Sequence, residues 1–118
     1  MNTETKNKIV NLAMEQMEMK SADLCCSFKI RRLDLAFPEM CYLNTMHKLI
    51  NKLNDGTWAT EVAIILADTE WSRSKSLEEL KIDYDTRAAA TDFLLCVDKG
   101  VKGEGDKDDL TSGSESGK

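Results

Sequence analysis

The chain has 118 residues and a formal charge of −5 that is unevenly placed: residues 1–54 carry eight Lys/Arg against six Asp/Glu, and residues 55–118 carry eight against fifteen. This length fits one domain, and the acidic second half excludes a cationic sheath for nucleic acid, leaving at most a local basic patch. No apolar run is long enough to span a bilayer, and the polar opening (Asn2, Thr3, Glu4, Lys6, Lys8) is not a secretory signal, so a cytoplasmic protein with reduced thiols and no membrane partner is expected.

A first helix is predicted from Thr3 or Thr5 to about Met19. Lys8, Asn11, Glu15 and Glu18 share one face, while Ile9, Val10, Leu12, Ala13, Met14 and Met17 spread over a wide opposite arc. That arc is broader than one packing partner needs. Ser21 is a candidate N-cap for a second helix, with Asp23 in its first turn, running to about Ile30. Residues 31–37 suit helix or extended chain, because Leu33, Leu35 and Phe37 alternate with Arg32, Asp34 and Ala36.

Pro38 is the only proline and suits the first position of the next helix. From Glu39 to Asn54 the pattern is clear. Tyr42, Leu43, Met46, Leu49, Ile50 and Leu53 form a narrow apolar stripe opposite Asn44, Lys48, Asn51 and Lys52. Asp55-Gly56 ends this helix, with Gly56 in the left-handed cap position. Thr57 or Thr60 can cap a further helix to about Trp71, which is apolar on two sides: Val62, Ile65 and Leu66 on one, Ile64 and Trp71 on the other. Ser76 and Glu79 match the capping box, opening a short helical turn to about Lys81. Asp83 or Asp85 then caps a last helix that Gly100 closes. From Val101 to Lys118 the chain is Gly, Ser and charge with one isolated Val and one isolated Leu, too little apolar surface to offset the entropy of ordering it. The expected fold is therefore all-α: a bundle of four to five helices over residues 1–100, with a disordered acidic tail at 101–118.

Catalytic and cofactor signatures are missing. His47 is the only histidine and stands at the polar margin of its helix, with no nucleophile-elbow sequence in the chain. Cys25, Cys26, Cys41 and His47 are spaced unlike a structural zinc site, which brings ligands in pairs two to four residues apart, so no metal is expected and the cysteines read as small buried apolar side chains. Residues 1–55 hold no glycine, which excludes a phosphate-cradling loop there. No cofactor is implied.

What remains points to binding. The methionines and the two-sided fourth helix suggest more apolar surface than a monomer hides. The leading expectation is a non-enzymatic interaction protein, an inhibitor, adaptor or assembly factor, that contacts another protein or itself through Met14, Met17, Ile64 and Trp71. The competing expectation is a small DNA-binding regulator or packaging-type subunit. It would use the basic cluster Lys29, Arg31 and Arg32 for phosphates, with Lys48 and Lys52 on the 38–54 helix entering a groove.

Overall fold

The computed structural model describes residues 1–68 and 75–109; for Asp68 and residues 103–109 only the backbone path is described. Four helices follow one another: α1 (Thr3–Lys29), α2 (Leu33–Asp55), α3 (Trp58–Asp68) and α4 (Leu77–Asp109), with no strand among the described residues. The all-α architecture is as expected, and the count falls at the lower end because two anticipated breaks are absent.

α1 starts where the Asn2 side chain accepts from the Thr5 N–H at 2.8 Å, and it runs unbroken through Ser21 to Lys29. Ser21 is an exposed mid-helix residue rather than a cap. Serine is only a modestly poor helix former, and nothing from Met19 to Lys29 is glycine or proline, so no residue there stops propagation. The same holds at Asp83 and Asp85. The Ser76–Glu79 capping box forms as anticipated, with Ser76 N–H to Glu79 Oε1 at 2.8 Å and Glu79 N–H to Ser76 Oγ at 3.2 Å, but α4 continues past Lys81 without a second start.

The turn between α1 and α2 resolves the ambiguity at 31–37. Arg32 N–H donates to the Ser27 carbonyl at 2.8 Å and Arg31 N–H to the Phe28 carbonyl at 3.1 Å, the paired bonds of a Schellman motif. Arg31 occupies its left-handed position at φ 58°, a place where glycine is the unstrained choice. α2 then begins at Leu33, so Pro38 lies inside the helix and not at its first position. Its missing N–H forfeits only the bond to the Asp34 carbonyl, and its ring is buried. Arg31→Gly is expected to stabilise the protein by about 0.5–1 kcal/mol, the relief of left-handed strain less the added chain entropy. A rise in the urea midpoint checks it. At the other end of α2, Gly56 takes the left-handed cap (φ 80°) as the sequence indicated.

The helices alternate in direction. Ile9 of α1 meets Gly100 of α4 while Lys20 lies near Asp85; Trp58 of α3 packs on Phe93 while the Leu66 carbonyl accepts from Arg87. α1 and α3 each run antiparallel to α4 and, among the described residues, do not touch one another. The core is the expected α2 stripe (Tyr42, Met46, Leu49, Leu53) against Ile9 and Ala13 of α1 and Ala89, Ala90 and Phe93 of α4. Leu43 and Ile50 pack partly against it, as does Met17.

Gly100 does not end α4, which continues to Asp109; residues 110–118 of the anticipated tail lie outside the described residues. The glycine instead permits close packing. A Cβ there would sit 2.6 Å from Ile9 Cγ1, and Ile9 is fully buried. Alanine is the better helix former by about 1 kcal/mol, yet Gly100→Ala is expected to destabilise by about 1–2 kcal/mol through overpacking. Combining it with Ile9→Ala should give a loss smaller than the sum of the two, measured by denaturant titration of all four chains in the cycle.

Candidate functional site

α3 is described over 11 residues, and its later turns sit beside Arg87 of α4. Among the described residues, no fourth helix therefore flanks the first turns of α2 and α4. A groove of about 540 Å³ opens at this end of the bundle, between Lys20 of α1, Leu35, Pro38 and Glu39 of α2, and Leu77, Leu80, Tyr84 and Asp85 of α4. Asp34 and Pro38 form a ridge between this groove and a smaller one of about 210 Å³, lined by Leu33, Phe37, Glu78 and Ile82.

The walls are apolar because helical spacing places them so. Leu77, Leu80 and Tyr84 are one turn apart along α4, and Leu33 and Phe37 are one turn apart along α2. These side chains lack cover: Leu33 is 67% exposed, Phe37 61%, Leu77 65% and Tyr84 64%. A volume of this size lies in the range of sites that receive apolar groups.

The charged groups around the groove hold the helices together. Arg32 donates to both carboxylate oxygens of Asp34 at 2.9 Å, and this hydrogen-bonded pairing holds the Asp34 carboxyl down at about 2. Lys81 also approaches Asp34, at 3.7 Å. Ser27 Oγ donates to Glu39 Oε1 at 2.7 Å, closing the α1–α2 turn. Burial pushes the Asp85 carboxyl up, opposed by Lys20 and reinforced by Glu39. Deeper in, the Tyr42 hydroxyl donates to Asp92 Oδ2 at 2.5 Å, and the Lys20 ammonium stands 4.6 Å from the centre of the Tyr42 ring. Arg32, Asp34, Lys81, Glu39 and Lys20 thus each meet a partner within the fold, while Asp85 has burial and the nearby Lys20 and Glu39 as its influences.

The residues singled out from the sequence are dispersed. Met14 is 53% exposed on α1 and Ile64 is equally exposed on α3, two helices without mutual contact; Met17 lies half-buried against the core. Trp71 is outside the described residues. Among the basic residues, Lys29 and Arg31 are exposed at the α1–α2 turn, while Arg32 is engaged by Asp34 and Lys48 pairs with Glu61 at 2.9 Å. Helix rise sets Lys48 and Lys52 about 24 and 30 Å along α2 from Arg32, so the five cations form no single patch. His47 is exposed. Of the cysteines, only Cys96 is buried as expected. Cys41 is half-buried and Cys25 and Cys26 are exposed, whereas the buried residue of their turn of α1 is Ser27. No cluster of three potential metal ligands occurs among the described residues.

The groove residues Leu35, Leu77, Leu80 and Tyr84 escaped the sequence reading. For Leu35 the one signal was the recurrence of Leu33, Leu35 and Phe37, which on a helix falls on more than one face; Leu77, Leu80 and Tyr84 carried none.

The fold thus defines the class: an all-α bundle with alternating helix directions, open at the end where α2 and α4 begin. Comparison with family models, curated proteins and solved structures finds no match to this chain. No helix among the described residues is long and apolar enough to cross a membrane.

Proposed function

We propose that this chain is a non-enzymatic interaction protein that docks another polypeptide at the open end of its bundle. The observation that carries the reading is the groove between α1, α2 and α4, rimmed by large apolar side chains that are about two-thirds exposed. Surfaces of that kind on a folded domain are commonly covered by a partner. Fully desolvated aromatic and aliphatic anchors at the centre of an interface supply most of its binding energy, and Phe37 and Tyr84 stand where such anchors would sit. An inhibitor, an adaptor and an assembly factor all act in this way.

The test is site-specific photocrosslinking in the full chain, with a benzophenone amino acid replacing Phe37, Met14 or Ile64 in turn. Polypeptide adducts are expected at position 37 and not at 14 or 64. An unreactive position 37 would sink the proposal, and adducts confined to 14 and 64 would move the site to the methionine face of α1 and to α3.

A further inference from the structure

We infer that the polypeptide docked at this end is a second copy of the same chain, bound about a two-fold axis; the inference rests on the docking reading above and names its partner. Phe28, Ile30, Leu33, Phe37, Leu77 and Tyr84 are 48–67% exposed at one end of the bundle. Side chains of these sizes leave on the order of 700 Å² of apolar surface in water, close to the ~800 Å² that each partner contributes to a stable interface.

Shape favours a copy of the chain over an unrelated partner. A two-fold interface needs a patch complementary to itself, in which one residue meets a second and that second meets the first. This end carries two adjoining grooves, one walled by the exposed Leu33 and Phe37 and the other by Leu77 and Tyr84, so that each wall pair of one copy can meet the other pair of its partner. Seating the Leu33–Phe37 face of each copy against the Leu77–Tyr84 face of the other covers both pairs. Charge agrees. Lys29 and Arg31 lie on the turn and Glu78 lies beside Phe37 on the smaller groove, so a rotated copy can set opposite signs together. A strongly acidic or basic partner would call for a rim of one sign.

Sedimentation equilibrium of the full chain from about 1 to 100 μM is the first measurement. The mass is expected to rise from 13.3 kDa towards twice that value with concentration. Phe37→Glu and, separately, Tyr84→Glu should each raise the dissociation constant at least about tenfold with far-UV circular dichroism unchanged, whereas Met14→Glu should not. The second measurement mixes nitrogen-14 and nitrogen-15 chains carrying the photocrosslinker at position 37. Mixed-isotope adducts mapping to 77–84 are the expected product. A single 13.3 kDa species throughout, or dimers that both Glu variants leave intact, would overturn the inference. Adducts from position 37 found only on a different polypeptide overturn it too but leave the docking reading standing, and no adduct at all overturns both.

Discussion

Phe93→Ala is expected to lower the free energy of unfolding by about 3–5 kcal/mol, the range for removing a fully buried aromatic ring. Phe93 is completely buried in α4, and its ring lies 5.9 Å from that of Trp58 at 55°, a tilted aromatic contact that ties α3 to the rest of the bundle. Among the described residues α3 contacts α2 and α4 and not α1, so the Trp58 contact is a main part of its attachment. Truncating Phe93 opens a cavity in the main core and strips Trp58 of its partner. Because domains of this size are stable by only about 5–15 kcal/mol, the variant should be on the edge of unfolding at 37 °C. Phe93→Leu, which keeps most of the volume, should lose under about 1.5 kcal/mol. Urea titrations read by circular dichroism decide it. A loss below about 1 kcal/mol for the alanine variant would mean that the core collapses to fill the space.

The second large effect is at Tyr42 and is pH-dependent. Its side chain is 2% exposed, and burial first, then the hydrogen bond to Asp92, push the phenol well above its ordinary value. The folded state thus holds this proton more tightly than the unfolded chain does. Its contribution is complete below pH ~10, where the unfolded phenol is still protonated, and is lost as the pH rises beyond that point. Tyr42→Phe removes the donor from a half-buried carboxylate and is expected to cost about 1.5–3 kcal/mol at pH 7. It should also flatten the fall in stability above pH 10. Burial raises the Cys41 and Cys96 thiols as well, so the chain should still weaken in alkali; the difference between the two proteins isolates the phenol. Urea midpoints at pH 7, 9 and 11 make the comparison. Parallel alkaline slopes for the two would remove Tyr42 from the account.

Much of the fold was legible because local chemistry and packing agreed. The α2 stripe was narrow enough to name its buried face, Gly56 was the glycine a left-handed cap wants, and Ser76 and Glu79 stood at capping-box spacing. The false breaks came from signals that permit an ending without enforcing one. Ser21 and Asp83 can cap a helix, but they can also sit within one, and the packing of long helices along a common core decided the matter. Pro38 misled for a related reason: near a helix start its missing donor costs one bond, so five residues could precede it. Gly100 was read as a terminator by its chemistry, whereas its use is set by Ile9, ninety-one positions earlier in the chain. The groove was illegible on the same grounds. Its walls come from three helices, and whether Leu77 or Tyr84 is covered depends on how those helices pack, which no local pattern in α4 records.

The meeting of Ile9 with Gly100 has a mechanical consequence. The beginning of α1 and the later turns of α4 lie side by side, at the end of the bundle away from the groove. A pulling force applied across these two points would not shear the helices along their length. It would peel α1 from α4 starting at the Ile9–Gly100 contact, breaking contacts one after another, so the bundle should open at low force when loaded this way. The same load applied between α1 and the start of α4 would act along the helix axes and meet the whole core at once.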